Sequence, residues 1–186
     1  METGNRGKVI RQTSAVQSRI RTHGLVVLLV LLAFALRLYR LDYQSLWWDE
    51  GHSLSVARHS LAAIPTLPAM DVHPPLYFYL LHLWLGLAGE SEFVLRFLSL
   101  FFALLTVALL YRWGLELGGP TGLLAAAIAA LSPLYIAYSQ EVRMYAMVTS
   151  LALLSVYTFY RLVLAYFLSP PRREVWDIRP YWVGYI

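Results

Sequence analysis

Five apolar runs, separated by short polar stretches, constrain this chain more than any other feature. They cover about Gly24–Tyr39, Pro74–Gly89 ("PPLYFYLLHLWLGLAG"), Phe93–Trp113, Thr121–Tyr138 and Tyr145–Leu168. A helix that spans a bilayer needs roughly 20 apolar residues, within a range of about 17 to 25. The third and fifth runs meet this easily, and the first and fourth adequately. The second is too short and carries His82, so it reads as an interfacial or re-entrant helix. Its aromatics Tyr77, Phe78, Tyr79 and Trp84 suit a membrane boundary. Composition agrees: 59% of residues are hydrophobic and 14% charged, where a soluble domain is about 25% charged. The expected fold is an all-α membrane protein with about four transmembrane helices and membrane-parallel helices in the first external loop.

Charge placement orients the chain. Arg6, Lys8, Arg11, Arg19 and Arg21 crowd the N-terminal stretch. A basic segment beside an apolar run is a topology signal rather than a nucleic-acid-binding arm. No small-x-small cleavage site follows the first run before "YRLDYQSLWWDE", so that run reads as a retained transmembrane helix and not as a signal peptide. With a cytoplasmic N-terminus and a flat second segment, "LWWDEGHS" (Leu46–Ser53) and "YSQEVRMY" (Tyr138–Tyr145) share the outer face. Arg112, Arg161, Arg172 and Arg173 then lie inside. If Pro74–Gly89 spanned, Glu141 would move to the face opposite Asp49. The division that follows is a cytoplasmic basic arm at 1–23, a transmembrane module at 24–168 with an external loop at 40–92, and a tail or further helix start at 169–186. The module belongs in the plasma (inner) membrane with its active face outside. Within the loop, "SLSVARHSLAAIP" has helical spacing and ends at Pro65, as an amphipathic surface helix would.

Three polar clusters lie at the ends of hydrophobic segments, where ionisable groups are costly and are functional candidates. Asp49 and Glu50 follow Trp47 and Trp48. One of the pair can act as a base when partly desolvated, or both can hold a divalent cation. In an extended segment their side chains would point to opposite sides, so that one catalyses while the other holds the loop. A single solvated carboxylate at this position would carry no function. His73 precedes Pro74 and Pro75, which hold it extended and then open a helix. It is either incidental to that helix start or a donor to an anion or ligand to a metal. Glu141 and Arg143 lie two apart and do not pair along a helix, which leaves the Arg143 guanidinium for a phosphate. The bland alternative is an interfacial salt-bridge cluster. Arg37, Arg40 and Arg96 read as anchors or snorkelling residues, with a cavity-facing Arg96 as the alternative. Cysteine is absent, so no disulfide framework or thiolate metal site exists. A base, a histidine and an arginine on one membrane face suggest transfer chemistry on a lipid-linked phosphate.

"RLYRLDYQSLWWDEGHS", "HPPLYFYLLHLWLGLAGESEFVLRFLSLFFALLTVALLY" and "GLLAAAIAALSPLYIAYSQEVRMYA" resemble, in order and spacing, the N-terminal part of multi-spanning glycosyltransferases of the C superfamily. Within it they resemble the dolichyl-phosphate-mannose protein mannosyltransferase and aminoarabinose transferase group, over about Arg37 to Tyr160. The resemblance implies an inverting transfer of a sugar from a polyprenyl-phosphate donor to a protein, lipid or glycan acceptor at the outer face. It implies Asp49 as general base with Glu50 beside it. His73, Gln140, Glu141, Arg143 and Tyr145 would then bind the donor phosphate or substrate. Members differ in metal use, so a divalent metal on Asp49, Glu50 or Glu141 stays open. Such enzymes usually continue for many more spans, so a chain ending at "RPYWVGYI" reads as an N-terminal fragment. A non-catalytic scaffold or transporter fragment is the alternative, and a metal-dependent hydrolase using Asp49, Glu50, His52 and His73 is a further one.

Overall fold

A computed structural model describes residues 24–67, 73–118 and 120–168. The basic arm at 1–23, the tail at 169–186 and Asp71 lie outside the described residues. The described chain is all helix and turn: α1 (Gly24–Leu38), α2 (Trp48–Ala57), a 3-10 turn (Ile64–Thr66), α3 (Leu76–Ala88), α4 (Glu92–Leu117), α5 (Thr121–Leu131), α6 (Pro133–Ser139) and α7 (Tyr145–Leu168).

The central element is α4. Ser91 caps its start by accepting from the Val94 N–H at 3.3 Å, and Gly118 ends it at a φ of 91°, a left-handed conformation that suits glycine. With 26 and 24 residues, α4 and α7 are long and apolar enough to cross a membrane. They pack against each other, and α5 packs along α4 still more extensively. There the backbones almost touch. A Cβ built on Gly114 would sit 2.3 Å from the Gly122 Cα, so both positions tolerate only glycine without a shift. Beside this contact, Ala33, Val107, Ala126 and Ala130 join α1, α4 and α5. Small residues at such crossings are the usual way for helices to approach closely in lipid.

The 13-residue α3 spans about 20 Å at 1.5 Å per residue, well short of a roughly 30 Å hydrocarbon core. It buries Tyr77, Phe78 and Leu81 under α2 and α4, in a core shared with Leu54, Val56, Ile64, Leu95, Leu98, Val142 and Met147. His82 Nδ1 lies 2.8 Å from the Ala57 carbonyl, and Trp84 donates its indole N–H to the Val94 carbonyl at 2.7 Å. The short apolar helix is therefore pinned to its neighbours at both flanks.

Three sequence expectations change. The fourth run is not one straight helix: α5 and α6 are bent by 63° at Ser132. Pro133 has no N–H to give to the Ala129 carbonyl and disfavours helical geometry at Ser132, which adopts φ −62° and ψ 116°. The freed carbonyls explain the second change. Arg37 is fully buried rather than a snorkelling anchor. Its guanidinium donates to the Ala129 and Ala130 carbonyls at 2.9 and 3.1 Å, and to the Ala33 carbonyl at 3.1 Å. Arg40, in contrast, is exposed and stacks over the Tyr43 ring. Third, the helix of the external loop starts at Trp48 and ends at Ala57, with a separate 3-10 turn at Pro65. Asp49 and Glu50 are thus in its first turn and not in an extended segment, where carboxylates favour the positive end of the helix dipole.

Candidate functional site

Helical geometry separates Asp49 from Glu50 by about 100° of rotation. Glu50 turns inward and is 1% exposed, whereas the Asp49 side chain keeps 38% of its surface. The buried carboxylate collects four donors. Its Oε1 accepts from Arg96 Nε and from the Val142 N–H, both at 2.9 Å. Its Oε2 accepts from Arg96 Nη2 at 2.7 Å and from the Trp47 N–H at 3.3 Å, the latter closing the first turn of α2.

Arg96 is 5% exposed and gives its remaining donor, Nη1, to the Leu41 and Gln44 carbonyls at 2.9 and 2.8 Å. Glu50 and Arg96 together tie the loop after α1, the start of α2, α4 and the 140–144 loop into one unit. Arg96 is accordingly neither an anchor nor a snorkelling side chain. No sequence signal links it to Glu50, from which it is 46 positions away.

The Glu50–Val142 bond sets the neighbouring residue. Arg143 is buried, with Nη2 3.7 Å from Asp49 Oδ2 and Nη1 3.5 Å from the Asp49 carbonyl. Its own carbonyl accepts from the Ser99 hydroxyl at 3.1 Å, and Ser99 lies 3.3 Å from the buried Tyr77 hydroxyl. Burial pushes the Tyr77 phenol well above its ordinary value, so it stays protonated. Arg143 Nε is buried without a hydrogen-bond partner among the described residues. The guanidinium thus carries an unsatisfied, buried donor beside a long ion pair. Tyr145 opens α7, with its ring 5.6 Å from the Arg143 guanidinium and edge-on to Tyr138 at 5.1 Å.

The remaining predicted residues are placed differently. Gln140 donates its amide to the Arg37 and Tyr39 carbonyls, both at 2.9 Å, and so closes the end of α1. Glu141 lines a cavity of about 330 Å³ together with Arg40, Tyr43, Gln44, Trp47, Glu50, Arg96 and Gln140. Burial first, then the Glu50 charge, raises its carboxyl above the ordinary range, against the opposing pull of Arg143. His73 is half-buried at the approach to α3 and makes no hydrogen bond with Asp49, Glu50, Glu141 or Arg143. His52 is exposed. Among the described residues no three His, Asp or Glu side chains come together as a metal-ligand set. Glu50 would have to give up Arg96 or Val142 to ligate a cation, so Asp49, Glu50 and Glu141 do not fit as a metal site in this arrangement.

The family model described as dolichyl-phosphate-mannose-protein mannosyltransferase matches residues 72–169, just over half of the chain. No curated protein and no solved structure matches. The matched stretch holds His73, α3 to α7 and the 140–144 loop, but not Asp49 and Glu50.

Proposed function

The chain belongs to the dolichyl-phosphate-mannose-protein mannosyltransferase family, and from this premise we propose that it is a membrane glycosyltransferase working at the outer face of the inner (plasma) membrane. It moves a sugar from a polyprenyl-phosphate donor to an acceptor hydroxyl with inversion. The observation that carries this reading is the junction between Asp49 and Arg143. Asp49 lies outside the family-matched stretch, yet Glu50 ties it to Arg96 and Val142 within that stretch. Asp49 and Arg143 then stand 3.7 Å apart.

The chemistry needs few groups. The acceptor oxygen attacks the anomeric carbon from the side opposite the phosphate. The bond between that carbon and the phosphate oxygen breaks, and the electron pair leaves with the lipid phosphate. Asp49, half-exposed and free of short hydrogen bonds to its carboxylate among the described residues, takes the acceptor proton. Arg143, paired with Asp49, receives the developing charge on the leaving phosphate. Glu50 has no lone pair left for a substrate proton, so we assign it a positioning role: it sets Asp49 against Arg143. Gln140 positions the end of α1 in the same way, Tyr145 stacks beside Arg143, and His73 and Glu141 flank the donor. A polyprenyl chain would lie along the apolar helices, with its phosphate at the boundary.

Membranes holding the full chain, a radiolabelled polyprenyl-phosphate sugar and a hydroxyl acceptor test this. Asp49→Asn should lower transfer about 10²-fold or more, the usual scale for a general base, while donor binding persists. Retained turnover would sink the assignment. Donor binding by the wild type without any transfer would favour the scaffold reading.

A further inference from the structure

The cavity beside Glu141 has lining groups that the transfer chemistry leaves idle. Glu50 and Arg96 are paired with each other in its wall, and Gln140 donates its amide to the Arg37 and Tyr39 carbonyls. The Arg40, Gln44 and Glu141 side chains line the same cavity and make no hydrogen bond or ion pair among the described residues. Every other arginine among the described residues donates to a carbonyl or pairs with a carboxylate. Arg40 follows α1 with a φ of 58°, a left-handed backbone that arginine seldom adopts. Its guanidinium is held 3.4 Å from the centroid of the exposed Tyr43 ring.

Charge balance identifies the occupant. The wall holds two arginines and two carboxyl groups, and the Glu50–Arg96 pair leaves one guanidinium and one carboxyl without partners. An anion alone would meet Glu141, and a cation alone would meet Arg40. A ligand with both charges a few bonds apart satisfies both. Burial first, then Glu50, raise the Glu141 carboxyl above its ordinary range, and an ammonium beside it would favour the ionised form. Trp47 and Tyr43, both exposed in the same wall, offer ring faces to that cation and suit the level of headgroups. Depth supplies the rest. Arg96 is four residues along α4 from Glu92, about 6 Å at helical rise, so the cavity lies near the end of the bundle that carries Asp49. Leu28, Leu31 and Leu32 on α1 are exposed. They precede Arg40 by 8 to 12 positions, roughly 12–18 Å nearer the bilayer centre. The polar groups are thus outermost and the apolar ones innermost, the order of a phospholipid. We propose that this cavity binds the phosphoethanolamine headgroup of a membrane phospholipid, with its phosphate on Arg40, its ammonium on Glu141 and its acyl chains along α1. Gln44 is a further donor for the phosphate. The assignment is independent of the sugar-transfer reading, in which Glu141 only flanks the donor.

The test uses the purified full chain in neutral detergent, titrated with phosphatidylethanolamine, phosphatidylglycerol or phosphatidylcholine of the same acyl chains. Binding is read by native mass spectrometry and by thermal stabilisation. Phosphatidylethanolamine should bind and stabilise most strongly. Arg40→Gln and Glu141→Gln should each weaken it about five-fold, the upper end for one exposed ion pair. Glu141→Gln should leave phosphatidylglycerol binding as tight or tighter, because only the ammonium uses that carboxyl. Arg58→Gln, in the exposed pair with Glu90, should change neither lipid. Phosphatidylglycerol or phosphatidylcholine binding as tightly as phosphatidylethanolamine overturns the proposal, and so does either cavity variant matching wild type. Displacement of phosphatidylethanolamine by equimolar polyprenyl phosphate also overturns it, because the cavity would then be part of the transfer site.

Discussion

Removing Arg96 should loosen the start of α2 and the 140–144 loop before it affects anything else. In Arg96→Met the Glu50 carboxylate, 1% exposed, loses two of its four donors and its only ion-pair partner among the described residues. The Leu41 and Gln44 carbonyls lose theirs as well. Breaking a buried pair from one side costs about 3–5 kcal/mol, because the remaining charge stays buried without compensation. Glu50→Gln strands the guanidinium instead and should cost a similar amount. The double variant Glu50→Gln/Arg96→Met removes both charges, so its loss should fall short of the sum by about 2–3 kcal/mol, the upper range for coupled neighbours. Unfolding of all four proteins by SDS titration of mixed micelles, followed by tryptophan fluorescence, gives the cycle. Single losses under about 1 kcal/mol, or losses additive within about 0.5 kcal/mol, would refute the claim that this pair holds the site together.

Further outcomes follow from other contacts. Glu141 has its carboxyl raised by burial and by Glu50; a raised acid holds its proton more tightly when folded, so stability should fall as pH rises from the ordinary value of 4.5 through the folded one. Glu141→Gln should flatten that part of a thermal-midpoint-versus-pH curve, and an unchanged curve would remove Glu141 as its source. Gly114→Leu should cost about 1–3 kcal/mol or more in the same micelle titration, because a side chain there meets the Gly122 backbone. The absence of cysteine permits single cysteines at Ser45, Gln140 and Gly118 in intact cells. A membrane-impermeant thiol reagent should label the first two and spare the third, whereas labelling of Gly118 but not Gln140 would place the two acidic clusters on opposite faces.

What could be read from the sequence was what depends on local pattern. The runs containing α4 and α7 are long and uniformly apolar, and the run containing α3 is visibly too short, so length alone separated them. Pro133 was in plain view, but its effect needed knowledge of which carbonyls it would leave unbonded and what could satisfy them. The start of α2 was missed because its first turn reads as a polar, aromatic loop. Asp49, His73, Glu141 and Arg143 could be picked out as candidates from residue type and position alone. That Glu50 and Gln140 spend their hydrogen bonds inside the protein could not, since their long-range partners lie 46 to 103 positions away. A hydrophobic pattern has no means of encoding a pairing at that range.

The pairing of Arg37 with the break between α5 and α6 has a consequence for synthesis. Its carbonyl partners lie 92 and 93 positions downstream. At about 5–20 residues per second, they leave the ribosome some 5–20 s after Arg37 does. During that interval a guanidinium at the end of the first apolar helix has none of its final long-range partners, and its place one residue from the helix end lets the side chain reach toward the interface. The first helix therefore takes its final seat only after the kinked helix has emerged to receive its charge.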